Sequence, residues 1–106
     1  MYKFKSKVTG DLIMLAATGD HLLRVIGKEP AAAGIFEVAD MPAAIAALEH
    51  AVAAQEAARQ QAEQQAKAEG RALAAATGIS LRQRAWPVIE MFRRCHAAGE
   101  VVVWGV

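Results

Sequence analysis

Polar and apolar residues alternate strictly from Tyr2 to Val8. Tyr2, Phe4, Ser6 and Val8 fall on one side, and Lys3, Lys5 and Lys7 on the other. A period of two predicts a strand with one packed face and one wet face. Thr9-Gly10 follows as a turn signal, because Gly10 can supply positive φ, and Asp11-LIML-Ala16 reads as the returning strand. The period then changes. Leu22, Leu23, Val25 and Ile26 fit one side of a short helix over 18–27, with Thr18 or Asp20 near its start and Gly27 as its stop. The stretch KEPAAAG, 28–34, reads as a loop through its Pro30 and Gly34.

A second helix is predicted from Asp40-Met41-Pro42, where Asp can cap and Pro fits the first turn. Met41, Ile45, Leu48 and Val52 form one stripe on it, but Gln55, Glu56, Arg59 and Glu63 continue that stripe. Packing against a core is therefore expected to stop near residue 54, even if the helix does not. From Gln55 to Ala76 almost every residue is Ala, Gln, Glu, Arg or Lys. Helix propensity is high there, and Glu56–Arg59, Arg59–Glu63 and Glu63–Lys67 stand at supportive spacings. Gly70 and Thr77-Gly78 are the expected stops, which makes 71–79 a candidate mobile linker.

The third helix opens at Ser80, and Gln83 completes a capping box. Leu81, Ala85, Val88, Ile89, Phe92, Cys95 and His96 follow as an apolar face up to Gly99. Pro87 lies too deep for the first turn, so it should free the carbonyl of Gln83 and bend the helix. The closing VVVWGV predicts an interior strand covered on both faces.

The order is then β-β-α-α-α-β. An isolated hairpin is unstable and the last strand needs a partner. Pairing it with the first strand gives an α+β fold with a small sheet and helices packed on one side. Residues 1–106 would form a single domain carrying a charged Ala/Gln/Glu-rich helical arm and linker at 55–79.

Composition narrows the function classes. With 106 residues, the chain can bury one core but not two. The net charge of +1 argues against strong indiscriminate attraction to nucleic acid or to acidic membranes. A single cysteine, Cys95, excludes an internal disulfide framework and suits a reducing compartment. The alternating N-terminus lacks the apolar run of a secretory signal, and nothing approaches the roughly 20 apolar residues of a membrane span. A soluble cytoplasmic protein is the expectation, with no membrane role. The charge is unevenly placed: basic at 1–8 and 80–96, acidic over 37–69.

Recognised catalytic and ligand-binding motifs are absent. Gly27-Lys28 lacks the glycine-rich run and following Ser/Thr of a phosphate loop, and neither GxGxxG nor GxSxG occurs. His21, His50, His96 and Cys95 show no ligand spacing, so neither a metal nor a cofactor is expected. Cys95 falls at a helix C-terminus on the packed face, unlike a reactive thiol. An enzyme is disfavoured on these grounds.

The most suggestive constellation is Arg82, Trp86 and Arg93, within about 40° of one another on a helix at 100° per residue. Arg and Trp can stack and are enriched in binding hot spots. Lys3, Lys5 and Lys7 could add a basic ribbon nearby. The competing reading carries more weight: Trp86 closes the edge of the core while the arginines cover it with their stems. As a site, the set fits an unknown protein partner first and RNA or DNA second. A small-molecule binder or enzyme without a recognisable motif is the third class. The alanines Ala44, Ala47, Ala51, Ala54 and Ala58 could support a weak homodimer, although a monomer with a solvated arm is the simpler expectation.

The segments YKFKSKVTGDLIML, IGKEP, MPAAIAALE, SLRQRAWPVIEMFRR and VVVWGV, in that order, resemble a bacterial family of small proteins named as domain of unknown function 1840. The resemblance covers both ends and the start of the second helix, while 53–76 looks variable. It implies one complete small protein. It transfers no activity, cofactor or site residue.

Overall fold

The computed structural model describes residues 1–71 and 80–106. The opening hairpin forms over a shorter span than the alternation through Val8 predicted: β1 (Tyr2–Lys5) pairs antiparallel with β2 (Leu12–Met14), Tyr2 opposite Met14 and Phe4 opposite Leu12. The connection 6–11 is longer than the tight turn expected at Thr9-Gly10, and Gly10 does not adopt positive φ. The strand β4 (Val102–Trp104) lies on the other side of β1, with Phe4 opposite Trp104. The fold is α+β, as expected, and the terminal strands share one sheet.

The loop predicted over 28–34 holds as far as Ala33, and Gly34 opens a third strand that was not predicted, β3 (Gly34–Phe36), which pairs antiparallel with β4 and completes the order β2-β1-β4-β3. Gly34 belongs to this strand for a packing reason. The Trp104 ring lies where a Cβ at residue 34 would stand, so a larger residue would collide with it.

Three helices cover one face of the sheet. The first, α1 (Ala16–Ile26), begins two residues earlier than predicted. Leu15 is its N-cap with no side-chain cap bond, so neither Thr18 nor Asp20 marks the start. Gly27 closes it at φ 94°, the left-handed conformation that glycine adopts at no steric cost. A 3₁₀ turn (Val38–Asp40) leads into α2 (Met41–Ala68). Asp40 does not cap α2 through its side chain. Its carboxylate instead accepts the backbone N–H of Glu37 at 3.2 Å. α3 (Leu81–Ala98) has the predicted capping box: Gln83 N–H donates to Ser80 Oγ at 3.2 Å, and Ser80 N–H donates to Gln83 Oε1 at 3.1 Å. Pro87 sits inside this helix, which continues past it to Ala98.

Phe4, Phe36, Val102 and Trp104 point from the sheet into a core shared with Leu22, Leu23, Met41, Leu48, Ile89 and Phe92. Edge contacts join the rings, Phe4 to Trp104 at 5.7 Å and Phe36 to Phe92 at 4.7 Å between centroids. Such pairs add to simple area burial. The one polar atom of Trp104 is satisfied, since Nε1 donates to the Ala31 carbonyl at 2.9 Å.

On α2 the buried stripe of this core ends at Val52, close to the predicted limit. Ala66 is an exception: it is buried, yet it lies outside that core cluster. Of the candidate linker 71–79, only Arg71 is described. The remainder, with the expected stop at Thr77-Gly78, lies outside the described residues. The described residues extend 52 × 25 × 22 Å, the long dimension expected where a 28-residue helix outruns its core.

Candidate functional site

The capping box fixes where α3 begins, and α2 fixes how it lies. Gln55, one turn beyond the buried stripe, accepts the Leu81 N–H through Oε1 at 3.2 Å. That N–H is one of the donors a helix start leaves without an internal partner, so α2 also caps α3. The packed helices then present Arg82, Trp86 and Arg93 along one outer flank, as the spacing predicted.

Trp86 does not close the core edge. Its side is open, and the residue is 50% exposed. The ring stands beside a groove of about 250 Å³ lined by Glu49, Val52, Ala53, Arg82, Trp86 and Ile89. Val52 and Ile89 are buried core residues whose outer surfaces form the groove floor.

Acids on α2 already occupy both arginines. Arg82 grips Glu56 with two bonds, Nε–Oε1 at 2.5 Å and Nη2–Oε2 at 3.0 Å. The planar fork of arginine suits this bidentate contact. It holds the Glu56 carboxyl below its ordinary pKa, mainly through the hydrogen bond, and raises that of Arg82 for the same reason. Arg93 bridges Glu49 at 2.5 Å and Glu90 at 2.9 Å, and its guanidinium carbon lies 5.7 Å from the Trp86 centroid. The arm is therefore less acidic in effect than its composition suggests. Spacing within α3 located the flank, but no local signal showed Glu49 and Glu56, which come from a different helix.

The lysines do not join this flank. Phe4 points into the core, so its neighbours Lys3 and Lys5 point to the sheet's opposite, helix-free face. Lys3 pairs with Asp11 at 3.5 Å, and Lys5 Nζ donates to the Val106 carbonyl at 3.2 Å. Lys7 is exposed in the hairpin connection.

The other polar candidates separate. Cys95 is fully buried and its thiol donates to Ser6 Oγ at 3.0 Å, which accounts for the inward position of Ser6. His21, His50 and His96 are all exposed, and no three metal-ligating side chains cluster among the described residues. In the alanine stripe, Ala44 is spent in the chain's own core and Ala51 packs partly against it.

A feature not anticipated from sequence lies at the end of the sheet. The Tyr2 hydroxyl donates a short hydrogen bond to the Asp20 carboxylate of α1. That bond, then burial, raises the phenol's pKa above its ordinary value. An open depression of about 670 Å³ runs past this pair between Lys5, Pro30, Ala32 and Gly105.

A two-layer α+β architecture, with one sheet face that no described helix covers and an aromatic groove between two helices, is what these observations define. No described helix is long and apolar enough to cross a membrane. A family model described as a domain of unknown function (DUF1840) matches residues 1–104, and the chain belongs to that family. No curated protein and no solved structure matches it.

Proposed function

We propose that the protein is a non-enzymatic interaction module that engages a protein partner through the groove between α2 and α3. The observation that carries this reading is the half-exposed Trp86 beside an apolar-floored groove. A large aromatic left in water next to a recess is what an interface anchor looks like before its partner arrives. Arg93, whose guanidinium lies over the ring at 5.7 Å from its centroid and bridges two glutamates, helps hold the wall in place, so little order has to be gained on binding. A groove of this volume takes one or two apolar side chains and is small for a drug-sized ligand. Pairing of Arg82 and Arg93 with carboxylates favours a protein over a nucleic acid, because phosphates would have to displace those acids first.

The test is recovery of partners from the native cell with the wild type beside Trp86→Ala. The exposed ring makes this substitution mild for the fold. A hot-spot tryptophan is worth about 2 kcal/mol or more, so the partner should be lost by at least roughly thirtyfold. A partner retained unchanged by Trp86→Ala rules out the groove, and recovery of RNA lost on salt addition would replace the protein reading with the nucleic-acid one.

A further inference from the structure

The outward face of the sheet is built unlike a face meant for water. One-sided antiparallel sheets normally place polar residues outward, but here the outward strand positions are Lys3, Lys5, Ile13, Ile35 and Val103. The register sets Lys5, Val103 and Ile35 side by side in one row across three strands, and Lys3 beside Ile13 in the next. Ile13 is 57% exposed and Ile35 39% exposed. Isolated surface aliphatics are ordinary. A row continuous across neighbouring strands is a patch, and it contradicts the two-sided burial expected of VVVW. No described element covers this side.

Charge indicates what fits there. The lysines lie on β1, near the middle of the sheet, with aliphatic side chains on the flanking strands. Asp11 is the one acid paired with them, and Lys5 meets no aspartate or glutamate among the described residues. We propose that this face docks an acidic amphipathic helix of a protein partner. Its carboxylates would run along the Lys3–Lys5 line and its aliphatic residues would cover Ile13, Ile35 and Val103. Four strands spaced about 4.8 Å apart make a platform wide enough for one helix of about 10 Å diameter. The added helix would complete a three-layer domain. A lipid surface fits less well: two lysines supply little attraction to anionic headgroups, and no tryptophan lies on this side.

The experiment titrates the ¹⁵N-labelled protein with a synthetic 18-residue helical peptide of glutamate and leucine, arranged with glutamates in one line. The same peptide with lysine for glutamate is one control, and phosphatidylcholine/phosphatidylserine vesicles are another. Saturable shifts are expected at Lys3, Lys5, Ile13, Ile35 and Val103 with the acidic peptide alone. The double reversal Lys3→Glu/Lys5→Glu should weaken binding at least about tenfold, while Trp86→Ala leaves it unchanged and so separates this face from the groove. Lys3 is exposed and Lys5 half-buried, with its ammonium bonded at the surface to the Val106 carbonyl, so circular dichroism of the reversal variant should match the wild type. Equal binding of the lysine peptide, absence of saturable shifts, shifts confined to the groove, or preferential binding to the vesicles would each overturn the proposal.

Discussion

Between Met41 and Val52, α2 buries Met41, Ala44, Leu48 and Val52 in the core; between Gln55 and Ala68 it buries Ala66 alone. The backbone is the same helix throughout. What differs is what holds it. The first half is fixed by apolar burial at a period near 3.6. The second relies on intrinsic propensity and pairs such as Arg59–Glu63 at 3.0 Å, each a few tenths of a kcal/mol. Between them, Gln55 and Glu56 turn the same stripe into a polar contact with the start of α3. Helical pattern alone therefore does not reveal where a domain ends, whereas the chemistry of the stripe does.

The largest effect should come from the packed half. Leu48 is fully buried, so Leu48→Ala should lower the unfolding free energy by about 2–5 kcal/mol. Denaturant unfolding measures it. A loss below 1 kcal/mol would mean that this half is not the structural one.

A deletion tests the other half more severely. Residues 55 and 56 touch 81 and 82 directly, so a short linker can replace 57–75 without stretching the chain. The shortened protein should lose less than Leu48→Ala, under about 2 kcal/mol, because closing a shorter loop offsets part of the lost helix. Among the described residues, buried Ala66 and half-buried Arg59 and Ala62 on the same side of the helix are the signs of packing in this half. A loss as large as that of Leu48→Ala would show that Ala66 belongs to a second core.

The boundary itself can be probed at Ser80 and Gln55. Ser80→Ala removes half of the capping box, and Gln55→Ala removes the acceptor of the Leu81 N–H; each should cost about 1 kcal/mol. Both act on the same first turn, so the double variant should lose less than the sum.

Much of this architecture was legible, for identifiable reasons. Alternation gave β1 its faces because a side chain of the wrong kind there would be unburied or stranded. The Ser80–Gln83 box was legible because capping is local. β3 escaped because three residues cannot display a period, and its identity rests on pairing with β4, over sixty residues away. The start of α1 escaped because its N-cap, Leu15, is of an unexpected type. The same division runs through the candidate site. Arg82, Trp86 and Arg93 share one helix, so their common flank followed from spacing. Their acid partners did not, since Glu49 and Glu56 depend on how two helices settle against each other. Separation of the lysines from that flank likewise required knowing which face of the sheet the helices cover.

The smallest predicted effect concerns the link between the halves. Bonding to Arg82 depresses the Glu56 carboxyl pKa in the folded state. A depressed folded pKa contributes stability above the unfolded value, and this is lost as pH falls through the folded one. The Arg82–Glu56 contribution is thus present at neutral pH and disappears in acid. Because both groups are solvent-exposed, the effect on global stability should be slight, and the direct observable is the titration of the Glu56 carboxyl carbon by NMR. Arg82→Ala should move that midpoint upward to the ordinary glutamate range, and added salt should move the wild-type midpoint the same way by a smaller amount. Arg93→Ala should leave it in place, because Arg93 contacts Glu49 and Glu90 instead. If Glu56 titrates identically in the wild type and Arg82→Ala, the arginine fork does not bind it in solution, and the bond from Leu81 N–H to Gln55 is the described contact left at the junction of α2 and α3.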